Sequence, residues 1–347
     1  MELGISMFGD LSYDAAAKSF QSPRSRLQDM LEEIKLADEV GLDVFGIGEH
    51  HRPDFAVSSP EIILAAAASV TKNIKLTSSV TVLSSADPVR VYQNFSTVDL
   101  LSNGRAEITV GRGSFIESFP LFGYNLNDYN GLFSEKLELL KEINETDVIS
   151  WKGKYRAALD KQEVLPRPVN GNLEIWIAVG GTPQSVVRAA RLGFPLIIAI
   201  IGGRPAQFQP FFELYKTEYL NAGHDIAKMQ LATHSHGLLG ANGDALADRY
   251  FPNYAAQMDR VGSSRGWAPY TREQFEGGRS SEGALFVGDP SEVTDKILQH
   301  QEMFGLTRFL LHTDVGAPAH ADLMKSIEIF GEKVAPAVRK ALKVQAS

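Results

Sequence analysis

Eight short runs rich in strand-forming residues alternate along this chain with longer stretches of helical periodicity, and that alternation leaves few folds open. The strand-like runs fall at residues 3–8, 44–48, 74–83, 106–111, 174–179, 196–201, 230–239 and 308–312. The helical stretches fall at 26–39, 60–71, 88–101, 132–145, 183–192, 208–221, 290–304 and 319–330. In the first of these, Leu27, Met30, Leu31, Ile34 and Ala37 keep the i, i+3, i+4, i+7 spacing of a one-sided helix. Regular strand–helix alternation makes a parallel sheet covered by helices. Eight such units close into a (β/α)8 TIM-type parallel barrel, whereas an open doubly wound sheet usually stops earlier. The 347 residues suit a single barrel domain over 1–347, since the fold takes about 250 residues before insertions.

Punctuation agrees with the pattern. Pro60, Pro88, Pro183 and Pro290 each stand where a helix opens, and Gly41, Gly193 and Gly305 where one ends. Two stretches exceed minimal barrel loops, giving insertions after strands 4 and 7. Residues 146–168 read as a small β excursion around Trp151-Lys152-Gly153. Residues 240–283, polar and rich in Gly, Ser and Arg near their end, follow the seventh strand and are expected to form a lid over the C-terminal face.

Several chemistries are excluded or disfavoured. The chain has no cysteine, which removes disulfides, thiolate metal sites and cysteine nucleophiles. Its net charge of −8 comes with scattered basic residues, so nothing marks a nucleic-acid or anionic-membrane surface. The longest apolar stretch, 194–201, is too short to span a bilayer. A cytoplasmic location is the expectation.

In a β/α barrel the functional residues gather at the strands' C-terminal ends. There stand Glu49-His50-His51, Ser84-Ser85-Ala86-Asp87, Gly111-Arg112-Gly113-Ser114 and Gly180-Gly181-Thr182-Pro183. Strand alternation would put Glu49 and His51 on one face and His50 on the other. A histidine there suits general-base work or structural hydrogen bonding. A metal would need a further ligand, for which His234 and His236 are candidates; no metal is expected. Gly180, Gly181, Thr182 and Ser185 open a helix, where turned backbone amides, hydroxyls and the helix dipole favour an anion such as phosphate, and Arg112 can join them. A plain βα turn with a Thr N-cap would look the same. The alternating hydroxyls of 76–83 leave space for a flat ring, or simply taper the barrel packing.

Taken in order, these segments resemble the bacterial luciferase-like flavin-dependent monooxygenase family over nearly the whole chain. The markers are Glu49-His50-His51 after Gly41-Leu42-Asp43, then Asp87-Pro88-Val89-Arg90 and Asp99-Leu100-Leu101-Ser102-Asn103-Gly104-Arg105. Gly111-Arg112-Gly113, Phe122-Gly123, Gly193 and Val287-Gly288-Asp289-Pro290-Ser291-Glu292 follow. The resemblance implies an enzyme that takes reduced FMN as co-substrate from a separate flavin reductase and oxidises a small organic molecule with dioxygen, acting on paired donors. It implies that His50 is the catalytic histidine and that Arg112, Gly180, Gly181, Thr182 and Ser185 hold the flavin phosphate. It further implies that Ser79, Val80 and Gly111 lie at the flavin ring, with a non-prolyl cis peptide at Ser79–Val80. Phe8, Phe115, Phe119 and the 240–283 insertion are the expected substrate wall. The run Ala65-Ala66-Ala67-Ala68 matches a helix that forms the family's dimer interface, so a homodimer is expected. Gly111, Gly180 and Gly181 replace a cysteine and a Glu-Ser pair of luciferase's light-emitting subunit, which argues against transferring light emission or a long-chain aldehyde substrate. A deazaflavin-dependent oxidoreductase of the same barrel and a non-catalytic flavin-binding protein are the alternatives.

Overall fold

The computed structural model of the chain describes residues 1–14, 16–113, 115–263 and 265–345. Eight parallel strands close on themselves: β1 (Glu2–Met7), β2 (Val44–Ile47), β3 (Lys75–Ser78), β4 (Ala106–Gly111), β5 (Glu174–Val179), β6 (Leu196–Ala199), β7 (Leu231–Leu239) and β8 (Arg308–His312). Closure is made by β8 against β1, with Glu2 opposite Arg308 and Ser6 opposite His312. The expected barrel is therefore the observed one.

The connecting helices are α1 (Pro23–Glu39), α2 (Pro60–Val70), α3 (Pro88–Ser102), α4 (Tyr129–Glu145), α5 (Pro183–Leu192) and α6 (Gln209–Asn221). They are followed by α7 (Gly243–Ser263), α8 (Arg272–Arg279), α9 (Pro290–Phe304), α10 (His320–Ile329) and α11 (Ala335–Gln345). The four prolines do open their helices, because the missing N–H falls among amides that have no intrahelical partner anyway. Gly193 and Gly305 end α5 and α9 with left-handed φ of 75° and 70°.

The barrel interior is layered. At the amino ends of the strands Arg308, fully buried, donates to Glu107 at 2.7 and 2.9 Å and to Glu2 at 2.7 Å, and it stacks on Trp176 at 4.2 Å. Lys75 reaches Glu107 at 2.7 Å and Glu2 at 2.9 Å. Above this ionic floor lies an apolar layer of Val44, Trp176, Ile197, Ala232 and Leu310. Gly4 is required here, since a Cβ would lie 2.4 Å from the Val44 carbonyl. Higher still the inward residues shrink to Ser6, Gly46, Ser79, Thr109 and Ala178, and the barrel opens.

The structure corrects some of these expectations and bears out others. The third strand is not continuous over 74–83, since β3 ends at Ser78 and pairing with β4 resumes at Thr81 opposite Val110 after a one-residue slip; the Ser79–Val80 peptide between them is cis, as the resemblance implied. The β excursion expected at 146–168 is present as the antiparallel pair Val148–Trp151 and Leu159–Glu163, lying along the outside of α4, where Glu135 accepts from the Lys154 and Tyr155 amides at 2.7 and 2.9 Å. The 240–283 insertion is not simply a polar lid. Its α7 and α8 bury Tyr250, Tyr254 and Phe275, and the Tyr250 hydroxyl donates to the Val315 carbonyl at 2.8 Å. Lastly, Ala65-Ala66-Ala67-Ala68 do not share one face, because Ala67 and Ala68 point into the core while Ala66 lies outside with exposed Ile62 and Val70.

Candidate functional site

The carboxyl ends of the strands surround a cavity of about 440 Å³, a size in the usual range for small-molecule sites. Its wall brings together His50, Ser79, Val80, Gly111, Arg112, Gly180, Thr182 and Ser185 from four separate strand exits. Gly181 shapes the turn behind the wall, with φ of 105°, a value that disfavours a side chain. Ser114 lies outside the described residues. Phe8 and Phe115 line the cavity as expected, but Phe119 is fully buried against Tyr129 instead.

One end of the cavity is built for an anion. Arg112, leaving β4, donates to the Asn130 side-chain oxygen at 2.8 Å and to the Thr182 hydroxyl at 2.9 Å. Thr182 in turn donates to the Ser185 hydroxyl at 2.9 Å. Ser185 therefore accepts from Thr182 and has its own proton left to donate, and it lines the cavity. Thr182 is the N-cap residue of α5, yet its side chain caps no amide. Its hydroxyl is committed to Arg112 and Ser185, so the positive end of α5 stays uncapped by a side chain. A Cβ at Gly180 would meet nothing within 4 Å, so the space in front of this turn is open. A guanidinium, a hydroxyl donor and a helix N-terminus around an open turn fit a phosphate monoester.

The cavity floor beneath this end is the interruption in β3. The Val80 side chain fills the place a side chain at 111 would need, since a Cβ there would lie 2.7 Å from Val80 Cγ2. Gly111 and Val80 together make a flat patch beside Thr109 and Ala178, which suits a planar ring.

The opposite wall is histidine-rich. His50 sits between Phe8, Phe55 and Phe115, with ring centroids 4.7, 4.3 and 5.2 Å away. Its Nε2 is sealed off without a partner, which leaves Nδ1 as the ring atom with access to the cavity. Burial, reinforced by neighbouring His312, holds its pKa well below the usual histidine range, so the ring is neutral at pH 7. An unpaired buried acceptor costs less than an unpaired buried N–H, which places the proton on Nδ1, facing the cavity. Because β2 ends at Ile47, strand alternation does not extend to 49–51, and Glu49, His50 and His51 all reach the cavity wall. His51 Nε2 pairs with Glu49 at 2.8 Å, and Glu49 also accepts the Val82 amide at 2.8 Å. That pair braces β2 against the interrupted β3.

His234 and His236 share the inner face of β7 and line the cavity. They do not complete a metal cluster with Glu49 and His51. Among the described residues, the ligand atoms that converge are those of Asp10, His312 and Asp314, within 4.8 Å of one another. Arg26 already supplies the countercharge there, at 3.2 Å from Asp314 and 2.8 Å from Glu33. Asp314 accepts from the Phe8, Gly9 and Asp10 amides at 3.0, 2.8 and 3.3 Å and from His312 Nε2 at 3.0 Å. Burial opposes its charge, but the His312 hydrogen bond, Arg26 and the amides keep the carboxyl well below its ordinary range. Asp314 thus fixes the exit of β1, and through it Phe8, whose ring packs 4.0 Å from His312. Sequence reasoning missed Asp314, Ser6, Tyr254, Arg265 and Asn130. The His312-Thr313-Asp314 run at the end of the eighth strand was the available signal for the first.

Comparison with known proteins places this geometry. The family described as luciferase-like monooxygenase matches residues 1–307. An uncharacterized protein of Sinorhizobium fredii is 25% identical over 93% of this chain and 94% of its own length. The F420-dependent glucose-6-phosphate dehydrogenase of Amycolatopsis mediterranei is 30% identical over 53% of this chain and 55% of its own, so the chain spans about half of that relative. The oxygenating constituent of 3,6-diketocamphane monooxygenase from Pseudomonas putida, a type II Baeyer-Villiger monooxygenase solved with FMN, superposes with a TM-score of 0.75 at 22% identity, over 97% of this chain and 98% of its own.

Proposed function

Because the chain belongs to the luciferase-like monooxygenase family, we propose that it is an FMN-dependent monooxygenase acting on a small organic substrate. The observation that carries the choice of FMN is the hydrogen-bond chain from Arg112 through Thr182 to Ser185, ending in a donor at an open turn. When bound, reduced FMN supplies two electrons, so that dioxygen gives one oxygen atom to the substrate and the other to water. Arg112, Thr182, Ser185 and the Gly180-Gly181 turn would hold its phosphate, and Ser79, Val80 and Gly111 would face its ring. His50 holds a proton at Nδ1 over the cavity and donates a hydrogen bond to an oxygen at the reaction centre. Phe8, Phe55 and Phe115 around it exclude water. Arg265, from the insertion, lines the mouth and is the part of the lid nearest a bound substrate.

Titration with FMN, reduced FMN and F420 tests the assignment. Arg112→Ala is expected to weaken FMN binding about 10- to 100-fold, the worth of a charged hydrogen-bond donor, and Arg112→Lys to recover part of it. Unchanged FMN affinity in Arg112→Ala would falsify the phosphate site. Preference for F420 over FMN would support the deazaflavin reading, for which the Amycolatopsis relative speaks. Tight FMN binding with no oxidation of any substrate would leave a flavin-storage protein.

The reading also includes a separate reductase that delivers reduced flavin, and a homodimer. The outward face of α2, with Ile62 67% exposed, Ala66 and Val70, is the surface proposed to pair. Sedimentation is expected to show a dimer at micromolar concentration and a monomer for Ile62→Glu; a monomer in the unsubstituted protein removes the proposal.

A further inference from the structure

The cavity wall opposite the anion end carries two imidazoles whose tautomers are set from behind. Tyr254, on α7 of the insertion, is 2% exposed, and its hydroxyl lies 3.0 Å from His236 Nδ1. Among the described residues it has no other hydrogen-bond partner. A buried hydroxyl that only accepted would leave its proton unpaired, at a cost larger than the bond is worth. Tyr254 therefore donates, His236 Nδ1 accepts, and the proton of the neutral ring sits on Nε2. The same constraint acts on β1. Ser6, fully buried, contacts His234 Nε2 at 2.6 Å and has no second partner among the described residues. Ser6 donates, so the His234 proton sits on Nδ1. These two ring atoms, His234 Nδ1 and His236 Nε2, have no protein partner among the described residues and are not among the sealed polar atoms. Residues 234 and 236 are two apart on one strand and share its inner face, so both N–H groups open on the same stretch of cavity.

We propose that His234 and His236 form a two-donor site for an uncharged carbonyl oxygen of the substrate, held there by Ser6 and Tyr254. This rests on the reading of the cavity as the reaction site and names the class of molecule it takes: a ketone or aldehyde with an apolar body. Two fixed donors and no acceptor select an oxygen that only accepts. Burial keeps both rings neutral, and the Asp314 carboxylate behind them opposes a second negative charge, so a carboxylate or sulfonate is disfavoured. Phe8, Ile197 and Phe115 in the surrounding wall provide for the apolar body. His50, which shares Phe8 as a ring neighbour with His234, acts on the reacting oxygen. His234 and His236 instead decide which molecules are held.

Nitrogen-15 NMR of the histidine-labelled protein, without flavin, reads the tautomers directly. The expected result is an Nδ1–H form for His234 and an Nε2–H form for His236; the reverse form at His236 overturns the proposal. Binding is then measured on the FMN-loaded protein with three probes of matched ring size: acetophenone, ethylbenzene and benzoate. Acetophenone is expected to bind about tenfold tighter than ethylbenzene, with its carbonyl stretch shifted to lower frequency. Tyr254→Phe and, separately, Ser6→Ala are expected to shrink both the advantage and the shift. Equal binding of acetophenone and ethylbenzene, or tightest binding of benzoate, overturns the proposal and in the second case points to Arg265. A protein that binds no FMN yet shifts the acetophenone band keeps the histidine site and loses the flavin reading.

Discussion

Replacing His50 by alanine is expected to lower turnover by about 10²- to 10⁴-fold, the usual worth of a positioned proton-bearing group, while FMN binds as before. The separation of the two effects follows from the geometry. His50 touches none of Arg112, Thr182 or Ser185 through a hydrogen bond, and its ring is enclosed by Phe8, Phe55 and Phe115. Glutamine at 50 keeps a donor of similar reach and is expected to restore part of the rate. Because burial keeps the imidazole neutral, the rate should show no loss from His50 protonation between about pH 6 and 8. A fall of activity with an apparent pKa near 6.5 in the unsubstituted protein, absent from His50→Gln, would show a ring that titrates in water and would contradict the enclosed site. Unchanged turnover in His50→Ala removes the residue from the chemistry altogether.

The second large effect concerns stability. Glu107→Ala is expected to cost about 3–5 kcal/mol, because Arg308 then keeps its charge in a fully enclosed place with both hydrogen bonds to its buried carboxylate gone. Glu2 and Lys75 remain beside it, but one close carboxylate must then balance two cations, and Lys75 repels Arg308. A double replacement, Glu107→Leu with Arg308→Met, is expected to recover most of the loss, since an apolar pair of similar volume avoids the desolvation penalty. Urea unfolding of the three proteins checks both statements; a single variant as stable as the parent would show that the charge network contributes nothing. The pH dependence has a definite sign. Burial would raise the Glu107 pKa, yet Arg308 and Lys75 together bring it down to about 2. A folded-state value below the unfolded one means that the stabilisation is complete above the ordinary glutamate range and is lost as pH falls toward 2. Acid unfolding should therefore be accompanied by proton uptake at Glu107, which the double variant lacks.

The barrel was legible because its signal is repeated. Each strand is a short apolar run bounded by turn residues, and Pro60, Pro88, Pro183 and Pro290 mark helix starts independently of periodicity. What escaped was local and non-repetitive. The break in β3 left no trace in the strand pattern, since Ser78-Ser79-Val80 reads as ordinary strand; only the family resemblance implied the cis bond there, and the slip in pairing with β4 was not foreseen. Helix α7 was hidden by Pro252 and by its charged outer face, although Leu246, Ala247, Tyr250 and Tyr254 keep helical spacing on the buried side. The convergence of Arg112 with the Gly180–Ser185 turn was readable as residue types, donors at two neighbouring strand exits. Only the fold shows that Thr182 is drawn away from capping α5 to orient Arg112. The histidine wall was the least legible part. His234 and His236 announced themselves as a same-face pair, but the partners that decide their protons, Ser6 and Tyr254, come from 228 and 18 residues away. Local patterning cannot bring such residues together.

The ionic floor has a consequence for traffic. Arg308, Glu107, Lys75 and Glu2 plug the barrel at the amino ends of its strands, and the apolar layer above them admits no passage, so the cavity is a blind alley. Whatever the cavity takes must then enter and leave on its open side, where Arg112 and Arg265 are among the lining residues. An occupant lodged against the back wall leaves only past whatever stands at the entrance. Residence times, and the order in which things come and go, are therefore set at the rim rather than at the sealed end.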